Sequence, residues 1–210
     1  MLKSMTFVAT LAFVASANAN ILGNGGFESG IGDDADSWNQ LEIMGGAATA
    51  ATDRSSANPR TGNFAMALSV TGAGDFGPVS EIQQQTAVGS VTPGETYDFS
   101  FWATGIAGPG TVAFYEVSWF DGDGSNGGGP QGGTGLVNYD LNDTYTEFGT
   151  AGMVAPATAD SVFIQIRIVT GAFDGAEGSA FIDDVSFSLV PAPGALALLG
   201  LAGLAGRRRR

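Results

Sequence analysis

Residues 94–105 read GETYDFSFWATG. Tyr97, Phe99, Phe101 and Ala103 share one parity, and Asp98, Ser100 and Trp102 share the other. Successive side chains of a strand point to opposite faces, so this alternation predicts a half-buried β-strand. Pro93-Gly94, just ahead of it, reads as a turn.

The same period recurs outward from this stretch. In TVAFYEVSWFDGDG, residues 111–124, Ala113, Tyr115, Val117 and Trp119 share a face. In DSVFIQIRIVTG, residues 160–171, Val162, Ile164, Ile166 and Ile168 do so, with Gln165 and Arg167 opposite. In GSAFIDDVSFSLV, residues 178–190, Phe181, Asp183, Val185, Phe187 and Leu189 have one parity. NFAMALSV (63–70) and SEIQQQTAV (80–88) supply two more strands. The linkers TGAGDFGP, DGDGSNGGGPQGG and TGAFDGAEG are rich in turn formers. Six or more short strands, with no long amphipathic helix and no internal repeat, predict an all-β, jelly-roll sandwich over residues 20–189. Trp38 and Trp119 are expected in its core. Tyr139 and Tyr145 lie in a polar connection and are expected at a rim.

The charge is distributed unevenly. All 21 carboxylates fall between Glu28 and Asp184, where the only basic residues are Arg54, Arg60 and Arg167. The body therefore carries a formal charge of −18, which repels nucleic acid and anionic lipid and attracts cations such as calcium. Cysteine and histidine are absent, which excludes disulfides, Cys-His and Ser-His-Asp catalysis and the usual zinc sites. A hydrolase would need only two carboxylates, but none stands in a recognisable catalytic motif, and no enzymatic activity is expected.

Both ends read as addresses. Residues 1–19, MLKSMTFVATLAFVASANA, place Lys3, an apolar run and an Ala17-Asn18-Ala19 site in the order of a secretory signal peptide, with cleavage by signal peptidase after Ala19. Residues 190–210, VPAPGALALLGLAGLAGRRRR, place a proline pair, thirteen small or apolar residues and four arginines in sequence. Thirteen helical residues rise about 20 Å against a hydrocarbon core of about 30 Å. Such a short hydrophobic helix is a weak anchor, its basic end held in the cytoplasm. This segment resembles the PEP-CTERM sorting signal of Gram-negative bacteria. Pro191, Pro193, Gly194 and Arg207, Arg208, Arg209 and Arg210 carry the likeness, and Ala192 stands where that family has Glu. The resemblance implies processing by an exosortase-like membrane enzyme and an association with exopolysaccharide. The protein would be held transiently in the inner membrane and delivered to the outer surface or the exterior.

The body has a second resemblance. NGGFESG, Trp38, RTGNFAMALSV, Gln83-Gln84-Gln85, VTPGETYDFSFWATG and AFIDDVSFSLV follow the order of carbohydrate-binding modules of the family 4/9/22 type, which are galactose-binding-like jelly rolls. That likeness implies a structural Ca²⁺ near Glu28, Asp183 and Asp184. Asp183, on the parity of Val185 and Phe187, is expected to point inward and to need a partner. Calcium bridging Glu28 and Asp183, with carbonyls of residues 60–63, is one solution; Arg54, Arg60 or hydrogen bonds are the other. Asp121, Asp123 and Ser125 suggest an EF-hand, but Asn126 and Gly132 break its pattern, so a hairpin loop is expected.

Sugar-binding proteins set flat aromatic rings beside amides and charged groups. Trp102 with Gln83, Gln85 and Arg167 on a common outer face is the expected ligand site; the alternative is a Trp102 covered by a loop. The expected function is non-catalytic polysaccharide binding outside the cell. The alternative is a structural or adhesive biofilm-matrix protein with no specific sugar.

Overall fold

The computed structural model describes residues 19–122 and 129–191, which contain thirteen strands. These are β1 (Gly30–Ile31), β2 (Asp34–Ala35), β3 (Asn39–Ile43), β4 (Thr49–Ser55), β5 (Ala65–Thr71), β6 (Val79–Gln85), β7 (Thr96–Ala107), β8 (Thr111–Asp121), β9 (Gly129–Gly133), β10 (Val137–Tyr139), β11 (Thr146–Val154), β12 (Ser161–Thr170) and β13 (Glu177–Leu189). The first sheet has the order β10-β8-β12-β6-β3, with β9 also pairing β8. The second has the order β11-β7-β13-β5-β4, and β1 and β2 form a small ribbon. Pairing within both sheets is antiparallel, as the predicted all-β sandwich requires.

The alternating residues build the core between the sheets. Tyr97, Phe99, Phe101 and Ala103 of β7 are buried against Ala113, Tyr115, Val117 and Trp119 of β8 and the β12 set from Val162 to Ile168. The Tyr97 and Phe187 rings stack at 5.1 Å, and both meet Trp119 edge-on. Phe101 touches Phe99, Tyr115, Tyr139 and Phe148. Trp38 is buried against Phe27. Tyr139, expected at a rim, lies inside this cluster with its hydroxyl unpartnered, because β10 pairs with β8 and turns the ring toward Phe101.

β13 departs from simple alternation. Asp183 pairs with Trp102, but the next pair is Ser186 with Ser100, so β13 holds one residue more than β7 there. Such a bulge reverses parity. Ala180 and Ile182 face the core before it, and Val185 and Phe187 after it. Asp184 takes the strain with φ +50°. Asp183 therefore shares a side with Trp102 and Phe181, not with Val185, and the inward placement expected for it is corrected. It is buried all the same, beneath the chain at residues 60–61.

Residues 20–27 run along β13. The Asn20 amide donates to the Val185 carbonyl, Ile21 N–H to that of Phe187, and Val185 N–H to that of Gly25. A Cβ on Gly25 would sit 2.1 Å from the Val185 oxygen, so only glycine permits this approach. The EF-hand-like segment falls largely on residues 123–128, outside the described residues; β8 and β9 on either side pair as a hairpin. The leader and the sorting segment beyond Pro191 are also outside them, and no helix among the described residues is long and apolar enough to cross a membrane.

The aromatic layer makes a direct test. Phe101→Ala removes a fully buried ring with four aromatic neighbours and is expected to lower stability by about 3–5 kcal/mol in urea unfolding. A loss under 1 kcal/mol would show that the sheets are joined elsewhere.

Candidate functional site

The outward parity of the first sheet gathers polar and aromatic groups into rows across the strands. Arg167 of β12 stands between Phe114 of β8 and Glu81 of β6, with Leu41 of β3 beyond. In the next row Gln165 stands between Glu116 and Gln83, followed by Asn39. In the third, Phe163 stands between Ser118 and Gln85. On the other flank Val112, Val169, Val79 and Ile43 make an apolar row.

These groups are held by one another. Arg167 Nε lies 3.2 Å from Glu81 Oε2, close enough for an ion pair, but its N–H is not aligned for a hydrogen bond. The Arg167 Nη2 donates to Gln165 Oε1, and its guanidinium carbon lies 4.9 Å from the Phe114 ring centre. Gln165 Nε2 donates to Glu116 Oε2, whose other oxygen accepts from Ser118 Oγ at 3.1 Å. Gln85 Nε2 donates to Ser161 Oγ at 2.9 Å. Phe120 and Phe163 meet edge to face at 6.4 Å. Glu81 is only 3% exposed and Gln165 8%, unusual for side chains on the outside of a sheet. Burial raises the Glu81 pKa; Arg167 opposes that and Glu116 reinforces it.

Three of the four expected ligand residues, Gln83, Gln85 and Arg167, thus share this face. Trp102 does not: β7 belongs to the second sheet, so its ring is on the opposite side of the sandwich. Sheet membership depends on strand order, which alternation alone does not encode. Trp102 is half-buried, with the Arg60 guanidinium 3.6 Å from its ring centre. A shallow depression of about 350 Å³ on the second sheet is lined by Asp98, Ser100, Glu147 and Gly149. The aromatic residues there, Phe99 and Phe148, pack into the core cluster. Glu81, Glu116, Gln165, Phe114 and Phe163 were not singled out in the sequence. Their signal was present: polar and aromatic residues share the outward parity of β8 and β12, the face usually discounted as solvent-facing.

The acidic trio lies around residues 60–64. Asp183 Oδ2 accepts from the N–H groups of Arg60 (2.8 Å) and Thr61 (3.1 Å), and Oδ1 from that of Asp184. Asp184 pairs with Arg60 at 2.5 Å and accepts from the Thr61 hydroxyl. Glu28 Oε1 accepts from the N–H groups of Asn63 and Phe64. Arg54 donates to the Phe27 and Glu28 carbonyls and lies over the Phe64 ring. Burial raises the Asp183 pKa against its three N–H bonds, whereas the two N–H bonds lower that of Glu28. Calcium is held by oxygen ligands, yet the segment turns N–H groups, not carbonyls, to both carboxylates. No group of three metal-ligating side chains occurs among the described residues. As arranged, Glu28, Asp183 and Asp184 are satisfied by N–H, hydroxyl and guanidinium donors.

A family model described as a carbohydrate binding domain matches residues 19–118. Among solved structures, the enzymatically active domain of tailspike protein 4 from bacteriophage CBA120 is similar at TM-score 0.59 and 17% identity, covering 81% of this chain and 21% of that one. The chain thus spans about a fifth of the length of that tailspike domain. TmCBM61 in complex with β-1,4-galactotriose is similar at TM-score 0.54 and 18% identity, covering 82% and 99%. The N-terminal CBM22-1-CBM22-2 tandem domain of Paenibacillus barcinonensis Xyn10C is similar at 0.51 and 17%, covering 86% and 49%. No curated protein sequence matches. At these identities the likeness is one of fold: the chain is a β-sandwich of the jelly-roll kind found in carbohydrate-binding modules.

The carboxylates predict a pH response. Asp183, Glu81 and Asp53 have raised values, chiefly through burial, so the stability they contribute is full below their ordinary range and is lost as pH rises through the raised values. Glu28 acts in the opposite sense, its contribution being lost on acidification through its lowered value. Glu28 stays largely ionised in both states between pH 5 and pH 7, so the three raised groups and a body of −18 predict a higher melting temperature at pH 5 than at pH 7. A lower one would show that the hydrogen-bond and charge partners of Asp183, Glu81 and Asp53 outweigh their burial. At pH 7, EDTA is expected to leave the melt unchanged; a drop would show that residues 60–64 turn their carbonyls inward around calcium.

Proposed function

We propose that the sandwich binds polysaccharide without transforming it, across the outer face of the first sheet. The observation that carries this is the row of Glu116, Gln165, Gln83 and Asn39 flanked by the half-buried rings of Phe114 and Phe163. Amides and carboxylates serve the hydroxyls of a sugar, and apolar ring faces serve its C–H surfaces. Four strands at about 4.8 Å spacing make the row roughly 14 Å long, room for several sugar rings in a line. The carbohydrate binding domain match and the galactotriose-bound structural relative support this reading.

Export and sorting complete the proposal. The order of charge, apolar run and Ala17-Asn18-Ala19 at the start, and of prolines, apolar segment and arginines at the end, supports delivery to the cell exterior with processing at the C-terminal tail.

The test is calorimetric titration of residues 20–189 with β-1,4-galactan and with xylan. Binding of at least one is expected, and Phe163→Ala should weaken it about tenfold. No binding to either, or to a wider neutral glycan array, would sink the proposal. Tryptophan emission supplies an independent check on the face. Trp38 and Trp119 are in the core and Trp102 is on the second sheet, so bound glycan should leave the emission unshifted. A shift that disappears in Trp102→Phe would move the site to the second sheet.

A further inference from the structure

We propose that Glu81 sets the charge selectivity of this face, excluding acidic glycans by neutralising Arg167. The inference rests on the polysaccharide reading and goes beyond it to the class of ligand accepted.

Three cations serve the whole body, and each is committed. Arg54 donates to the Phe27 and Glu28 carbonyls and stacks on Phe64. Arg60 pairs with Asp184 and stacks on Trp102. Arg167 is therefore the one cation among the described residues on the outer face of the first sheet. Glu81 takes its charge from β6, Gln165 accepts from one of its terminal nitrogens, and the Phe114 ring lies beside its guanidinium. β8 adds a second carboxylate, Glu116, and the β3 residues in these rows, Asn39, Leu41 and Ile43, are uncharged.

The face thus sums to −1 inside a body of −18. A uronic acid or a sulfated sugar would meet two carboxylates and a guanidinium already in use. Glu81 cannot swing away into water, because it is 3% exposed beneath its neighbours. A neutral sugar meets no such penalty, since its hydroxyls can donate to Glu116 and accept from the Gln83 or Asn39 amides. If the carboxylate at position 81 became an amide, the Arg167 fork would be free to take an acidic group bidentately.

The experiment uses one backbone in two charge states: β-1,4-galactan, and the same polymer with part of its C6 hydroxyls oxidised to carboxylates. Affinities are compared as a ratio, so that the field of the rest of the body cancels between protein variants. The unsubstituted protein is expected to prefer the unoxidised polymer by about tenfold or more. Glu81→Gln should narrow that ratio about tenfold, and the double variant Glu81→Gln with Arg167→Gln should restore it. The double variant leaves no unpaired cation at the site, and thermal melts confirm that each protein is folded. Equal affinity of the unsubstituted protein for both polymers overturns the inference without any variant. An unchanged ratio in Glu81→Gln overturns it too, while leaving polysaccharide binding in place. If neither polymer binds any of the proteins, while xylan does, acidic selectivity is read on xylan and its 4-O-methylglucuronic-acid-substituted form with the same two outcomes. If none of these glycans binds, the polysaccharide reading falls and this inference falls with it.

Discussion

The two sheets are held in place by rings that cross the gap between them. Tyr97 and Phe187 of the second sheet stack on each other, and both press edgewise on Trp119 of the first. A few residues along, Phe99 and Phe101 pack against Tyr115 in the same way. Rings of this size bury large apolar areas and prefer tilted contacts, so they set both the spacing and the lateral offset of the layers. The rows of the outer face are the reverse side of these strands. Each inward ring on β8 fixes which of its neighbours turn outward as Phe114, Glu116 and Ser118.

The few cations in an acidic body act as internal fasteners. Arg54 takes up backbone carbonyls of the N-terminal segment, Arg60 fastens residues 60–61 to the bulge of β13, and Arg167 ties β12 to β6. Backbone N–H groups do the rest, with residues 60–64 serving Asp183 from one end and Glu28 from the other. Much of the charge left over points to solvent, where it keeps the molecule soluble and repels molecules of the same sign.

How much of this was legible in the sequence differs from strand to strand. β7, β8 and β12 could be read residue by residue, because their alternation is uninterrupted and one face of each is buried. β13 could not, because a bulge leaves no mark in a pattern of period two: Asp183 looked like a core position only if the strand stayed regular. Trp102 was read correctly as facing outward and wrongly as a neighbour of Gln83 and Arg167. Parity belongs to the strand, whereas the face a strand contributes to is settled by long-range pairing. Gln83, Gln85 and Arg167 did fall together because β6 and β12 are adjacent, a relation fixed by the fold. Tyr139 sits in a strand of three residues, too short for its period to be read.

The N-terminal segment lying along β13 has a geometric consequence. Ile21 bonds to Phe187, and Val190 leaves the sheet with its N–H on Thr96, so the two ends of the sandwich are neighbours. A body whose ends meet is close to a closed loop, and such folds accept new ends elsewhere. A short peptide joining residue 190 to residue 20, with the chain reopened between β8 and β9, would keep every sheet contact described here. The chain therefore enters and leaves the sandwich, at residues 20 and 190, in the same region of the surface.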